Sequence, residues 1–212
     1  MITVLSAAKF EADPTLKVLE DMHVAHEFIE LGIGPIHAAK KSSTLHLEGK
    51  KVLYLGSCGV FSKDFIPEVV TCENVYWSPP SVRSGQSNLI EDVEPPITFE
   101  NLSRFAKNFK KASVFCSPTI TLDETLIPSL SPVEPKLKPE NIVSIETSSK
   151  LLKVENMELY SVADKLCEAS SLSVLLGITN AVGPSGRTQW NDNFHLLAQK
   201  CADFSRRYIT QL

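Results

Sequence analysis

A chain of 212 residues, 43% hydrophobic and 22% charged, has the composition of an ordinary globular protein and the length for one sizeable domain. A formal net charge of -4 argues against nucleic acid as the main partner, because phosphate binding wants a basic patch. No apolar run approaches the roughly 20 residues that span a bilayer, so no membrane partner is expected.

The chain opens on "MITVLSAAKFEAD", which lacks the basic start of a signal peptide and reads as a first strand over 2–6. "HVAHEFIELGIG" (23–34) contains a second strand and ends in glycines. "PIHAAKKSSTLHL" (35–47) starts with Pro35, a favoured first helical residue, and reads as a helix. "KVLYLGSCG" (51–59) is a continuous apolar strand stopped by a glycine-rich turn. Strands follow at 68–77 and 112–117, the first partly alternating and the second a short apolar run. The stretches 78–96 and 128–140 are polar and proline-bearing and read as surface loops, and Asp123 and Glu124 begin a helix. "VENMELYSVADKL" (154–166) carries apolar residues at helical spacing and reads as a core-facing helix with one acid, Glu158, in its first turns. A last strand covers 171–179, and a long amphipathic helix runs from Gln189 to the C-terminus.

Strands alternating with helices predict one α/β domain over 1–212: a central twisted, mixed and mostly parallel sheet flanked by helices. The five cysteines (Cys58, Cys72, Cys116, Cys167, Cys201) are odd in number and form no C-x-x-C pair. They predict reduced thiols and a cytoplasmic protein without a disulfide framework or a zinc site. His23, His26, His37, His46 and His195 have no metal-ligand spacing, and no cofactor is expected.

Ligands of parallel α/β sheets bind beyond the carboxyl ends of the strands. That rule selects Glu11 after the first strand, "GSCG" (56–59), "SPTITLDE" after the 112–117 strand, and "TNAVGPSGR" (179–187) after the last. Each also has a plain structural reading. Glu11 can be a solvated helix-start acid, "GSCG" a tight turn, Asn180 a turn residue and Met157 core filler. A buried Glu158, however, needs a partner, because acids are rarely buried unpaired.

Taken in order, strand–Glu11, "LGIGPIHAA", "LGSCGVFS", "VENMELYSVA" and "GITNAVGP" resemble the nucleoside phosphorylase superfamily, and within it the methylthioadenosine/S-adenosylhomocysteine nucleosidase branch. The resemblance covers nearly the whole chain, with little signature between about 78 and 150. It implies that Met157 packs against a ribose and that Glu158 accepts hydrogen bonds from the ribose hydroxyls. It implies that Glu11 orients and deprotonates an attacking water, with Ser57 and Gly59 lining the sugar site. Cys58 is then a packed small residue. Tyr54 stands where phosphate-using members carry arginine, and no glycine-aspartate-proline loop follows the first strand; both features favour water as the nucleophile.

Adenine-cleaving members carry aspartate where this chain has Asn180, which is the pattern of members that take 6-oxopurines, futalosine hydrolases among them. Arg187 can then meet a substrate carboxylate, or be a solvated loop residue. The resemblance also implies a homodimer. Three functions follow as expectations: hydrolysis of the N-glycosidic bond of a 6-oxopurine nucleoside such as futalosine, in menaquinone biosynthesis; a nucleosidase or phosphorylase for methylthioadenosine, S-adenosylhomocysteine or inosine; or a non-catalytic nucleoside-binding protein on the same fold.

Overall fold

The computed structural model describes residues 1–62, 66–83, 97–99, 104–122, 151–166 and 171–212. The helix expected from Asp123, the 128–140 loop, most of 78–96 and Cys167 lie outside those residues.

Strand β1 (Ile2–Ser6) is buried along its whole length. It pairs in parallel with β2 (His26–Glu30) on one edge and β3 (Lys51–Val60) on the other, setting Val4 opposite both Phe28 and Leu53. Helix α1 (Lys9–Asp21) connects β1 to β2, and α2 (Pro35–Ser42) connects β2 to β3. The remaining described strands are β4 (Val69–Trp77), the short β5 (Ile97–Thr98), β6 (Lys110–Cys116), β7 (Leu152–Asn156) and β8 (Ser171–Ala181). The short helix α3 (Pro80–Arg83) follows β4, α4 (Leu159–Leu166) follows β7, and α5 (Gly186–Tyr208) follows β8.

The pairings close on themselves. β3 runs parallel to β8, β8 meets β4 antiparallel, β4 and β6 are parallel, and so are β6 and β7. β7 then returns antiparallel to the end of β3, placing Glu155 opposite Gly59. The sheet is therefore a five-stranded ring, with β1 and β2 extending from β3 and β5 attached to β4. It is mixed and mostly parallel, as the alternating pattern predicts.

Both faces of β3 are covered, which is why its sequence is a continuous apolar run. Val52 and Tyr54 enter the core beneath α2 and α4, with Ala38, Val162 and Leu166. Leu53 and Leu55 enter the core beneath α1 and α5, with Leu16, Leu19, Leu197 and Cys201. The described cysteines, Cys58, Cys72, Cys116 and Cys201, are all free and buried. Among the described residues no helix is long and apolar enough to cross a membrane.

Several boundaries differ from the sequence reading. "GSCG" (56–59) is not a turn but continues β3 to Val60, held by its pairing with β8, which itself runs on to Ala181. The 154–166 segment is not one helix: its first residues finish β7, and the helix starts at Leu159, so Glu158 sits in the bend before α4. The cause is Asn156, whose side-chain oxygen accepts from the backbone N–H of Glu158 (2.9 Å) and Leu159 (2.7 Å), ending the strand and capping the helix. The 35–47 helix stops at Ser42, because the hydroxyls of Ser42, Ser43 and Thr44 bond back to carbonyls of the last turn. The C-terminal helix starts at Gly186, three residues before Gln189.

Helix α5 lies against β8 where Gly177 presents no side chain. A Cβ there would stand 2.6 Å from Leu197 Cβ. Gly177→Ala should lower stability by about 1–3 kcal/mol through overpacking, read as a lower urea midpoint with an unchanged m-value. An unchanged midpoint would show that the helix can move off the strand at no cost.

Candidate active site

The carboxyl ends of β1, β3, β7 and β8 surround a cavity of about 270 Å³. All seven residues selected from the sequence line it: Glu11, Ser57, Gly59, Met157, Glu158, Asn180 and Arg187. Tyr54 does not line it and is fully buried in the core.

Glu11 lies in the first turn of α1, yet its carboxylate is turned inward rather than solvated. Its Oε1 accepts from the backbone N–H (3.1 Å) and hydroxyl (2.8 Å) of Ser57, and its Oε2 accepts from the Ser6 hydroxyl (2.9 Å). Burial pushes this carboxyl above its ordinary range, and the bonds from Ser57 and Ser6 pull it back.

Glu158 is 6% exposed. It has a partner within the protein: its Oε1 accepts the backbone N–H of Gly34 at 2.8 Å. Gly34 adopts φ +92, a left-handed conformation open to glycine, and Pro35 then starts α2. The glycine-proline step thus aims one N–H at the acid. Backbone support from Gly34, and from Glu158 and Met157 themselves, is not enough to offset desolvation. Burial, with the charge of Glu11 adding to it, pushes the Glu158 carboxyl up to about 7. Met157 is half-buried beside it, its methyl 4.0 Å from where a Cβ on Gly34 would stand.

Asn180, at the end of β8, is held by two bonds. Its Oδ1 accepts from the Thr179 hydroxyl (2.8 Å), and its Nδ2 donates to the carbonyl of Ala181 (2.9 Å). Gly59 makes room for this amide, since a Cβ there would come within 2.7 Å of Nδ2. Helix α5 braces the same strand end. Gln189 Oε1 accepts the Ala181 N–H (2.8 Å), and Asn193 Nδ2 donates to the Thr179 carbonyl (3.1 Å). Cys58 also lines the cavity, but burial pushes its thiol well above the ordinary value and so keeps it protonated.

Sequence reasoning missed several residues of the cavity. Asn156, which ends β7, donates through Nδ2 to the Ser57 carbonyl (3.0 Å) while capping α4. Glu155 is buried and accepts the backbone N–H of Thr121 at 3.0 Å. Trp190 donates from Nε1 to Ser57 Oγ (3.0 Å), stacks on Phe194 with ring centroids 4.7 Å apart, and carries the Arg187 guanidinium 4.6 Å from its ring centroid. Asn156 and Glu155 precede the Met157–Glu158 pair and could have been found from it. Trp190 carried no signal beyond its place on an amphipathic helix.

The titration of Glu158 has a thermodynamic consequence. Its folded carboxyl titrates near 7 against 4.5 for the free side chain, so the folded state holds the extra proton between those values. Stability therefore falls as pH rises from about 4.5 to 7, by up to about 3 kcal/mol from this group. Glu158→Gln, which cannot ionise, should flatten that part of the pH–stability curve and be the more stable protein at pH 8, measured by urea unfolding across the range. A curve with the same slope in both proteins would place the titration elsewhere.

No protein-family model matches the chain, and none of the curated proteins matches it. Solved structures do match along its whole length. One is the Helicobacter pylori methylthioadenosine nucleosidase, as an aspartate-to-asparagine mutant with 5'-methylthioadenosine in the active site; it is 17% identical, covers 100% of this chain and 98% of its own, and gives a TM-score of 0.72. The futalosine hydrolase of the same organism is 16% identical, with 100% and 97% covered and a TM-score of 0.73. The Neisseria meningitidis methylthioadenosine/S-adenosylhomocysteine nucleosidase, in complex with methylthio-immucillin-A, is 11% identical, with 100% and 99% covered and a TM-score of 0.73. The chain therefore has the nucleoside phosphorylase-like fold, and its structural neighbours are nucleosidases and futalosine hydrolase.

Proposed function

We propose that this protein hydrolyses the N-glycosidic bond of a purine nucleoside. The observation that carries the reading is the meeting of Glu11 and Glu158 in one cavity, each held by its own backbone anchor, with Met157 and Asn180 on the walls. Glu158 has one oxygen fixed by Gly34, which leaves the other for the adjacent hydroxyls of a ribose. Met157 supplies an apolar wall for the sugar. Glu11 takes the proton of a water attacking C1', and its negative charge stabilises the oxocarbenium-like sugar as the bond to the base lengthens. The departing purine leaves with the electron pair of that bond, and an amide N–H from Asn180 stabilises it there. A protein that only bound nucleosides would have use for Glu158 but not for Glu11, and this favours the catalytic reading.

The substrate is a 6-oxopurine nucleoside. Asn180 Nδ2 spends one proton on Ala181, which leaves the other for O6 or N7 of the base. Futalosine, which would yield hypoxanthine and dehypoxanthine futalosine, suits the cavity best because Arg187 stands at its rim, where a guanidinium can meet an aromatic carboxylate. Exposed apolar residues of the cavity lining, Ile33 (63%) and Ile120 (47%), support a homodimer formed over this face. A sedimentation run showing a monomer at micromolar concentration would remove the dimer from the proposal.

The protein is to be incubated with futalosine, aminofutalosine, inosine and methylthioadenosine, with and without phosphate, and the released base identified. Hypoxanthine released from futalosine without phosphate is the expected result; phosphate-dependent release would make the enzyme a phosphorylase. Glu11→Gln should abolish turnover while binding persists. In Asn180→Asp, a carboxyl oxygen facing the Ala181 carbonyl must be protonated to be tolerated, which creates an acid beside the base. The specificity ratio should then move toward 6-amino substrates by roughly tenfold to a hundredfold, the effect of about 1–3 kcal/mol of mismatched hydrogen bonding. An unchanged ratio would remove Asn180 as the reader of the base.

A further inference from the structure

We propose that Trp190 is a positioning residue for Glu11, acting through Ser57 to fix which carboxylate oxygen meets the substrate water. The proposal's catalytic meaning rests on the hydrolase reading above; its structural content does not. An indole N–H can only donate, and a serine hydroxyl has one proton. Trp190 Nε1 points at Ser57 Oγ (3.0 Å), so it occupies a lone pair of that oxygen. The hydroxyl proton of Ser57 is then directed along its other short contact, 2.8 Å to Glu11 Oε1. The Ser57 N–H donates to the same Oε1 (3.1 Å). Both Ser57 donors thus converge on Oε1, while Oε2 accepts only from Ser6 among these partners (2.9 Å). The chain Trp190 → Ser57 → Glu11 runs in one direction and leaves Oε2 as the oxygen with capacity to take a proton.

The indole is held for this task. It stacks on Phe194 at an interplanar angle of 9°, meets Phe10 edge-on at 6.1 Å, and lies under the Arg187 guanidinium. Phe10 is the residue before Glu11, so the ring cluster ties the start of α5 to the start of α1. Donation into Ser57 also polarises its hydroxyl, so the bond to Glu11 strengthens, which favours the ionised carboxylate against its burial.

The test uses the full-length protein. Trp190→Phe keeps an aromatic ring and removes the donor. Two readouts are taken: the titration of the Glu11 carboxyl carbon by NMR with ¹³C-labelled glutamate, assigned by its loss in Glu11→Gln; and kcat, KM and the pH profile on the nucleoside that the wild type hydrolyses. The Glu11 midpoint should move to higher pH, kcat should fall roughly threefold to tenfold, the effect of one ordinary hydrogen bond, and KM should hold. The acid limb of the pH profile should move with the midpoint. Ser57→Ala should show the larger loss, and the double variant should be no worse than Ser57→Ala alone. If Trp190→Phe fails to fold, benzothienylalanine, a tryptophan isostere without the N–H, replaces tryptophan in a Trp77→Phe background. An unmoved Glu11 titration, or losses that add in the double variant, overturns the proposal. Should the wild type hydrolyse no nucleoside, the functional reading fails alone, and the titration still decides whether Trp190 acts on Glu11.

Discussion

Ser57 is the point on which the cavity depends. Its N–H and hydroxyl hold Glu11, its carbonyl accepts Asn156, and its oxygen accepts Trp190. These partners lie 46, 99 and 133 residues away along the chain. The residue can serve all three because β3 runs past the end of β1, pairing with β8 along its length and with β7 only at its tip. Beyond Leu55 the strand edge no longer faces β1, and its polar groups are free for side chains. A longer β1 would take them for sheet bonding. Closing the strand ring and building the site are therefore the same event.

The two acids of the cavity are opposites in how they are supported. Glu11 is held by side-chain hydroxyls, of Ser57 and Ser6, as well as by backbone N–H groups, while Glu158 is supported by backbone N–H groups alone, Gly34 first among them. Desolvation raises both and hydrogen bonds oppose the rise in both, but Glu158 carries in addition the charge of Glu11, which raises it further. A group that must accept a proton in each cycle needs a prepared anionic state. A group that must accept hydroxyl protons from a sugar is completed by the sugar itself. On the proposed reading, Glu158 is strained in the empty protein and relieved by its ligand, so part of the binding energy is the removal of that strain.

The strands were legible because burial on both faces leaves an unbroken apolar signal, as in "ITVLS" and "KVLYLGSCG". Glu11, Ser57, Gly59, Asn180 and Arg187 were legible for a related reason: they follow strand ends, where a parallel sheet places its ligands, whereas Met157 and Glu158 were legible only through the family resemblance of "VENMELYSVA". β7 was not legible, since "LKVEN" is short and pairs with β6 over residues that also fit a helix repeat, and its end is decided by the side chain of Asn156. The Gly34 anchor was hidden for a different cause. Gly34 and Glu158 are 124 residues apart, and nothing local in either segment points to the other. Trp190 was hidden because an aromatic residue on an amphipathic helix reads as core until its N–H finds a specific acceptor.

Asn180 is held in one orientation by its neighbours. An amide is nearly symmetric in shape, and its two ends can exchange unless something forbids it. Here, reversal would set Oδ1 against the Ala181 carbonyl, two acceptors at hydrogen-bond distance, and would lose the Nδ2 bond at 2.9 Å. Translation is blocked as well: Gly59 and Gly186 approach so closely that a Cβ on either would stand 2.7 Å and 3.2 Å from Nδ2. The glycines let the two backbones close on the amide, and the closeness then prevents it from turning. Gln189 and Asn193 fix the strand end on the other side through the Ala181 N–H and the Thr179 carbonyl. In the proposed reaction such an amide presents one fixed donor to the base. A 6-oxopurine accepts at both N7 and O6, so it meets that donor in either approach, whereas a 6-amino group would set donor against donor. On the proposed reading, the discrimination would originate in the packing of β3, β8 and α5 that fixes the amide at position 180.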